Sequence, residues 1–132
     1  MEKVLIVDLP VSDQFLRQKR LIQERGELAL IEDGERFLHL GYFSLRKGVG
    51  YYRGGHYHKM KVEHFYIISG KLRLQLADLD TGRRWETEVH EGQRVRIYPG
   101  CAHRFMADEH AQVIEYYDSV YDREDDLPYV DF

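Results

Sequence analysis

The chain has 132 residues, the length of one domain; 43% are hydrophobic and 32% charged, which excludes a disordered chain. Net charge is −4 with the signs mixed along the sequence, which argues against the basic stripe of a nucleic-acid binder, and no apolar run approaches the ~20 residues of a membrane span. The single cysteine, Cys101, precludes an internal disulfide, and MEKVLIVDLP lacks the basic start and small-residue site of a secretory signal, so a cytoplasmic setting is expected.

Taken in order, KVLIVDLPV predicts a short strand closed by Pro10. The stretch from Ser12 to Gly26 reads as a helix, with Ser12 or Asp13 as cap and Phe15, Leu16 and Ile22 loosely periodic. An irregular loop or a strand is the other reading of that stretch. ELALIEDGERFLHLGYFSL predicts two strands about the hairpin dipeptide Asp33-Gly34. RKGVGYYRGG is a glycine-rich turn. Residues 63–92 predict three strands, broken at Ser69-Gly70 and at Asp80-Thr81-Gly82, and QRVRIYPG and AQVIEYYDSVY predict two more. Turn signals recur every ~8–12 residues, the rhythm of a sandwich or barrel. The expectation is an all-β single domain over 1–132, with 1–30 an N-terminal strand and connecting segment and 117–132 a C-terminal tail. That tail, acidic and aromatic, wraps the barrel or reaches a neighbouring subunit. Asp122, Glu124, Asp125 and Asp126 within it read as a solvated acidic run.

Chemistry concentrates in RGGHYHKMKVEHFYIISG, Arg53 to Gly70. His56 and His58 are two apart, so a strand puts both on one face. Glu63 shares a face with Phe65 and Ile67 and points inward, where a carboxylate needs a partner. His103 follows the turn YPGCAH. Three imidazoles and a carboxylate suit a divalent transition metal (zinc, nickel, manganese or iron) better than magnesium or calcium. One or two coordination positions would stay open, as a catalytic site requires. His64 alternates to the opposite face; His39, His90 and His110 belong to no motif. Cys101 reads as a small buried hydrophobe. Arg53 has the fork that suits phosphate, and Tyr52, Lys61 and Tyr116 are grouped with it as candidate substrate contacts. Tyr116, Tyr117 and Tyr121 either stack on a sugar or base or pack between strands.

The run Gly55-His56-x-His58-x4-Glu63-x6-Gly70 resembles the first motif of the cupins, and Gly92, Gly100 and His103 hold their places in the second, with Tyr98 standing where that motif has proline. The resemblance implies a double-stranded β-helix, or jelly-roll barrel. RGELALIED, YFSLRKGVGYYRGGHYHK, YPGCAHRF and EYYDSVYDREDDLPYVDF further resemble the nucleotide-sugar cupins, the dTDP-sugar 3,4-ketoisomerases and dTDP-4-dehydrorhamnose 3,5-epimerases. In the ketoisomerases the histidine pair matching His56 and His58 is implied to move protons without metal. This chain departs from them in keeping Glu63 where they tend to carry glutamine. The archaeal-type phosphoglucose isomerases, similar in GHYH, the glutamate and AHR, do bind metal.

The expected function is a carbohydrate isomerase or epimerase that removes a proton beside a carbonyl and returns it, with His56, His58 or Tyr117 as the catalytic group. A metal on His56, His58, Glu63 and His103 would stabilise the oxyanion, and would then leave the histidines unable to act as base. An iron-dependent dioxygenase and a non-catalytic sugar-binding cupin are the rival classes. The partners expected are a small-molecule carbohydrate and a second copy of the chain in a homodimer, with no nucleic acid and no membrane.

Overall fold

A computed structural model describes residues 2–132. It contains ten strands: β1 (Val4–Asp8), β2 (Lys19–Gln23), β3 (Gly26–Leu30), β4 (His39–Leu45), β5 (Arg53–Tyr57), β6 (Glu63–Asp78), β7 (Arg84–His90), β8 (Gln93–Ile97), β9 (Cys101–Tyr117) and β10 (Leu127–Pro128). One 3-10 turn, Arg123–Asp125, is the only helical element among the described residues. Among the described residues no helix is long and apolar enough to cross a membrane.

Two long antiparallel strands organise the barrel. β6 and β9 pair from His64↔Tyr116 to Asp78↔Cys101. The first part of β6 also pairs with β8, and the second with β7. The first part of β9 pairs with β5, and the second with β4. Each long strand therefore serves two sheets, the jelly-roll arrangement. β1 extends β8 on one side and β10 extends β5 on the other.

The interior of β6 changes parity along the strand. Glu63, Phe65 and Ile67 are buried at odd positions; Leu72, Leu74 and Leu76 are buried at even ones. Register shifts between Ile67 and Leu72 supply the change, because one extra residue moves every later side chain to the other face. Gly70 sits in this bend at φ +91, and a Cβ there would lie 2.3 Å from the His110 carbonyl oxygen. Only glycine fits. Ser69-Gly70 is thus a bulge within one strand, not the break expected from sequence. Leu45, Ile67, Leu72, Leu74, Val89, Val95, Phe105 and Val113 form the apolar core that results. Each such side chain contributes about 1.5–3 kcal/mol on full burial.

Three further sequence expectations change. The helix over Ser12–Gly26 is absent: Lys19 onward forms the β2–β3 hairpin, closed at Glu24-Arg25, and its backbone is tied by Arg20 N to the Pro10 carbonyl and Ser12 N to the Arg20 carbonyl. A helix here would have had little apolar face to bury, since Phe15 is fully exposed. Buried Arg20 instead bonds Glu27 at 2.7 Å and Glu91 at 2.8 Å, fastening the hairpin to the barrel. Asp33-Gly34 is not a hairpin turn, because β3 pairs with β2 and β4 leaves to pair with β9. AQVIEYY is the second half of β9, a strand that begins at Cys101. The C-terminal tail wraps its own barrel, with Leu127 opposite Tyr57 and Pro128 opposite His56.

Candidate functional site

The barrel interior is apolar at one end and polar at the other. On β9 the inward alternation runs through Cys101, His103 and Phe105, and in its second half through Val113 to Glu115 and Tyr117. β6 begins with inward Glu63, and β5 delivers His56, with His58 just past its end. His58, Glu63 and His103 are all buried, exposed by 4%, 2% and 1%. Three ionisable groups thus stand in water-poor surroundings, so each must be matched by a partner.

The ligand-type atoms of His56, His58, Glu63 and His103 lie within 4.8 Å of one another. Glu63 Oε1 is 2.8 Å from His58 Nε2, 2.9 Å from His103 Nε2 and 4.0 Å from His56 Nε2. The other nitrogen of each ring faces an acceptor. His56 Nδ1 is 2.8 Å from Asp126 Oδ1, His103 Nδ1 is 3.1 Å from the Cys101 carbonyl, and His58 Nδ1 bonds the Asp125 carbonyl. A carbonyl or carboxylate oxygen only accepts, so each Nδ1 carries a proton and, in the neutral tautomer, the ring turns a lone pair inward from Nε2. Lone pairs of imidazole and carboxylate then confront each other. Despite the short distances, His58 Nε2, His103 Nε2 and Glu63 Oε1 are buried with no hydrogen-bond partner of proper geometry. A proton or a cation between them removes that conflict, and three imidazoles with a carboxylate are a donor set that fits a divalent transition ion.

The electrostatics agree. Burial opposes ionisation of Glu63, but the facing His103 and His58 outweigh it and hold its carboxyl well below the usual range. Burial would also lower His58, yet its contact with Glu63 and the Asp125 carbonyl leave it raised. His56 is pushed down to about 4, by burial first and then by His103 and His58.

Beside this centre lies a cavity of about 260 Å³ lined by His56, Glu63, His103, Phe105, Arg53 and Glu115. Glu115 opens the EYYD run, but nothing in the sequence assigned it a role of its own. Gly41 across from it leaves the space it fills: a Cβ there would come within 3.1 Å of the Glu115 Cγ and Oε1 atoms. Burial, and then the nearby Glu63 charge, raise the Glu115 pKa. His39 stacks on Tyr117 at 4.2 Å and 7°, and burial pushes the Tyr117 hydroxyl up to about 12. Lys61 holds its ammonium 3.9 Å over the same ring.

Arg53 lines both this cavity and an outer groove of about 430 Å³ shared with Arg46, Tyr51 and Tyr52. Tyr52 is exposed, with the Arg104 guanidinium 5.2 Å from its ring. Tyr116 is not part of the site. One position off the inward alternation, it donates to Glu32 Oε1 at 2.9 Å and stacks on His64, so its grouping with the substrate contacts is corrected. Cys101 is buried in the core, as read. The acidic run is also corrected: Asp125 is buried, and both Asp125 and Asp126 support the histidines.

The family described as polysaccharide biosynthesis C-terminal domain matches residues 23–128. The chain belongs to that family. Among curated relatives, the UDP-2-acetamido-2,6-beta-L-arabino-hexul-4-ose reductase of Pseudomonas aeruginosa is 32% identical over 87 residues, covering 63% of this chain and 23% of the relative. The chain thus corresponds to under a quarter of that protein. Among solved structures, a sugar 3,4-ketoisomerase from Thermoanaerobacterium thermosaccharolyticum in complex with TDP superposes with a TM-score of 0.75 at 16% identity, covering 95% of this chain and 87% of that one. A 3,4-ketoisomerase from Helicobacter canadensis gives 0.77 at 13%, covering 96% and 91%. The dTDP-4-dehydrorhamnose 3,5-epimerase of Sulfolobus tokodaii gives 0.75 at 20%, covering 98% and 81%. At these identities the likeness is one of fold, the cupin jelly roll of the nucleotide-sugar isomerases and epimerases.

Proposed function

We propose that this polysaccharide-biosynthesis domain isomerises or epimerises a nucleotide-linked keto-sugar by proton transfer beside the carbonyl. The observation that carries the reading is the pairing of an inward donor set, three histidines and a glutamate, with a second, separate carboxylate, Glu115, around one cavity. Three of the similar proteins support the substrate class, being named for, or seen bound to, a UDP- or TDP-type nucleotide.

His56, His58, Glu63 and His103 would hold one divalent transition ion. Bound there, the ion would supply Lewis-acid polarisation of a sugar carbonyl or hydroxyl oxygen. With the histidines serving as ligands, Glu115 is the base. Its carboxylate takes the proton from the carbon beside the carbonyl, the C–H electron pair becomes the C=C bond of an enolate, and the carbonyl oxygen takes the negative charge. Return of a proton to the same carbon on its other face completes an epimerisation; for an isomerisation the hydroxyl on that carbon gives its proton to the former carbonyl oxygen, and a proton returns to the former carbonyl carbon. Tyr117, two positions along β9 from Glu115, keeps its proton at neutral pH. Arg53, at the junction of cavity and groove, binds the diphosphate, and Tyr52 offers a face to the nucleoside.

The test is product formation from UDP- and TDP-linked 4-keto sugars after loading with zinc, nickel, manganese or iron. Conversion is expected. Binding without conversion across the panel supports the sugar-binding reading instead, and oxygen consumption with iron supports the dioxygenase.

A further inference from the structure

We propose that the C-terminal strap, residues 122–128, is the positioning element of the metal centre. It fixes His56 and His58 with Nδ1–H directed outward and Nε2 left to ligate. This inference rests on the metal reading above.

The strap reaches the site through several independent contacts. One oxygen of the Asp126 carboxylate lies 2.8 Å from His56 Nδ1, an ion-pair contact, and the other accepts the Tyr121 hydroxyl at 3.1 Å. The Asp125 carbonyl accepts from His58 Nδ1. The Asp125 carboxylate accepts the backbone N–H groups of Lys59, Met60 and Lys61, at 2.7, 3.1 and 3.2 Å. Those residues form the turn that carries His58 toward Glu63. Leu127 and Pro128 then pair with Tyr57 and His56, setting the strap in register with the strand that bears the ligands. Asp122 caps the intervening turn through Glu124 N at 2.9 Å. His103 needs none of this, because its Nδ1 is held by the Cys101 carbonyl of its own strand.

A metal-bound imidazole is oriented, and made a better donor, by the acceptor on its other nitrogen. Here two of the three imidazoles take that acceptor from a distant segment, 67 positions along the chain in the case of His58. The strap therefore reports on the metal, and the metal on the strap, since coupling between two events is reciprocal.

The experiment is competition with a chromophoric chelator for zinc and for cobalt(II), on the full chain and on Asp126→Ala, Asp126→Asn and Glu24→Ala. Asp126→Ala should bind about 10–100-fold more weakly, the usual cost of losing such a support. Asp126→Asn, which keeps an acceptor oxygen without the charge, should fall between it and the wild type. Glu24→Ala should match the wild type, because that exposed acid sits at the β2–β3 turn, away from the strap. Cobalt absorption in Asp126→Ala should also change shape, a readout that loss of fold stability alone does not produce. Should Asp126→Ala fail to fold, the Asn variant decides. Amide hydrogen exchange along the strap should slow on adding zinc to the wild type. A wild type that binds zinc while Asp126→Asn and Asp126→Ala bind it equally tightly overturns the strap proposal alone. A wild type that takes up neither ion overturns the metal reading and the strap proposal together.

Discussion

At the residue scale the site we propose separates into ligands and a proton carrier, and each half can be tested apart from the other. Glu63→Gln replaces a charged oxygen with a neutral amide one and should weaken metal binding, measured by chelator competition at about pH 7.5, above the ordinary histidine range. Metal affinity should also fall as pH falls, because the ligands must be deprotonated. The sign is set by His58: its raised pKa means the proton competes from above the ordinary 6.5. Binding that stays constant between about pH 8 and 6, across the histidine range, would contradict this. Glu115→Gln should cost about 100-fold or more in turnover, in the range of a lost general base, while leaving metal content unchanged. The carboxylate is the active form and its pKa is raised from 4.5, so wild-type activity should climb with pH along a limb lying above 4.5, and that limb should vanish in the variant. The four ligand-type residues were legible from spacing, because strand parity and two glycine-marked turns fix their faces. Glu115 was legible in principle: Val113, Glu115 and Tyr117 alternate together, and the same parity excludes Tyr116. Asp125 and Asp126 were not, since a run of acids reads as solvated until the chain is seen to fold back over the histidines.

At the scale of elements, the barrel depends on bends that composition marks but does not interpret. Ser69-Gly70 looks like a turn between strands, yet it is the bulge that lets one strand face the core along its whole length. Gly70→Ala should destabilise the fold by more than about 1 kcal/mol, because alanine at φ +91 is strained and its Cβ meets backbone. A thermal or urea melt measures it, and an unchanged midpoint would contradict the bulge account. The β2–β3 hairpin escaped sequence reasoning for a different cause. Its stability comes from Arg20 paired with Glu27 and with Glu91, the latter 71 positions away, a tertiary term that local propensity does not contain. The same limit applies to Asp33-Gly34, a good turn pair whose flanking strands have other partners.

The whole molecule presents one face that the barrel itself does not cover. Phe15, Phe37 and Leu40 are exposed around a groove of about 580 Å³ on the outer side of β9. A homodimer with two-fold symmetry is expected to use this face, now that the tail is accounted for within its own barrel. Light scattering at micromolar concentration should give twice 15.8 kDa, and Leu40→Glu should shift it toward the monomer. A single-chain mass for the wild type would contradict the dimer.

If Glu115 is the base, a proton leaves carbon in this cavity. Proton NMR of a UDP- or TDP-linked 4-keto sugar incubated in deuterated water with the metal-loaded chain tests it directly. The signal beside the carbonyl should be lost as solvent deuterium enters, even where equilibrium favours the starting sugar, and Glu115→Gln should show no such loss. A substrate that binds and keeps that signal, with no isomerised product formed, would contradict it.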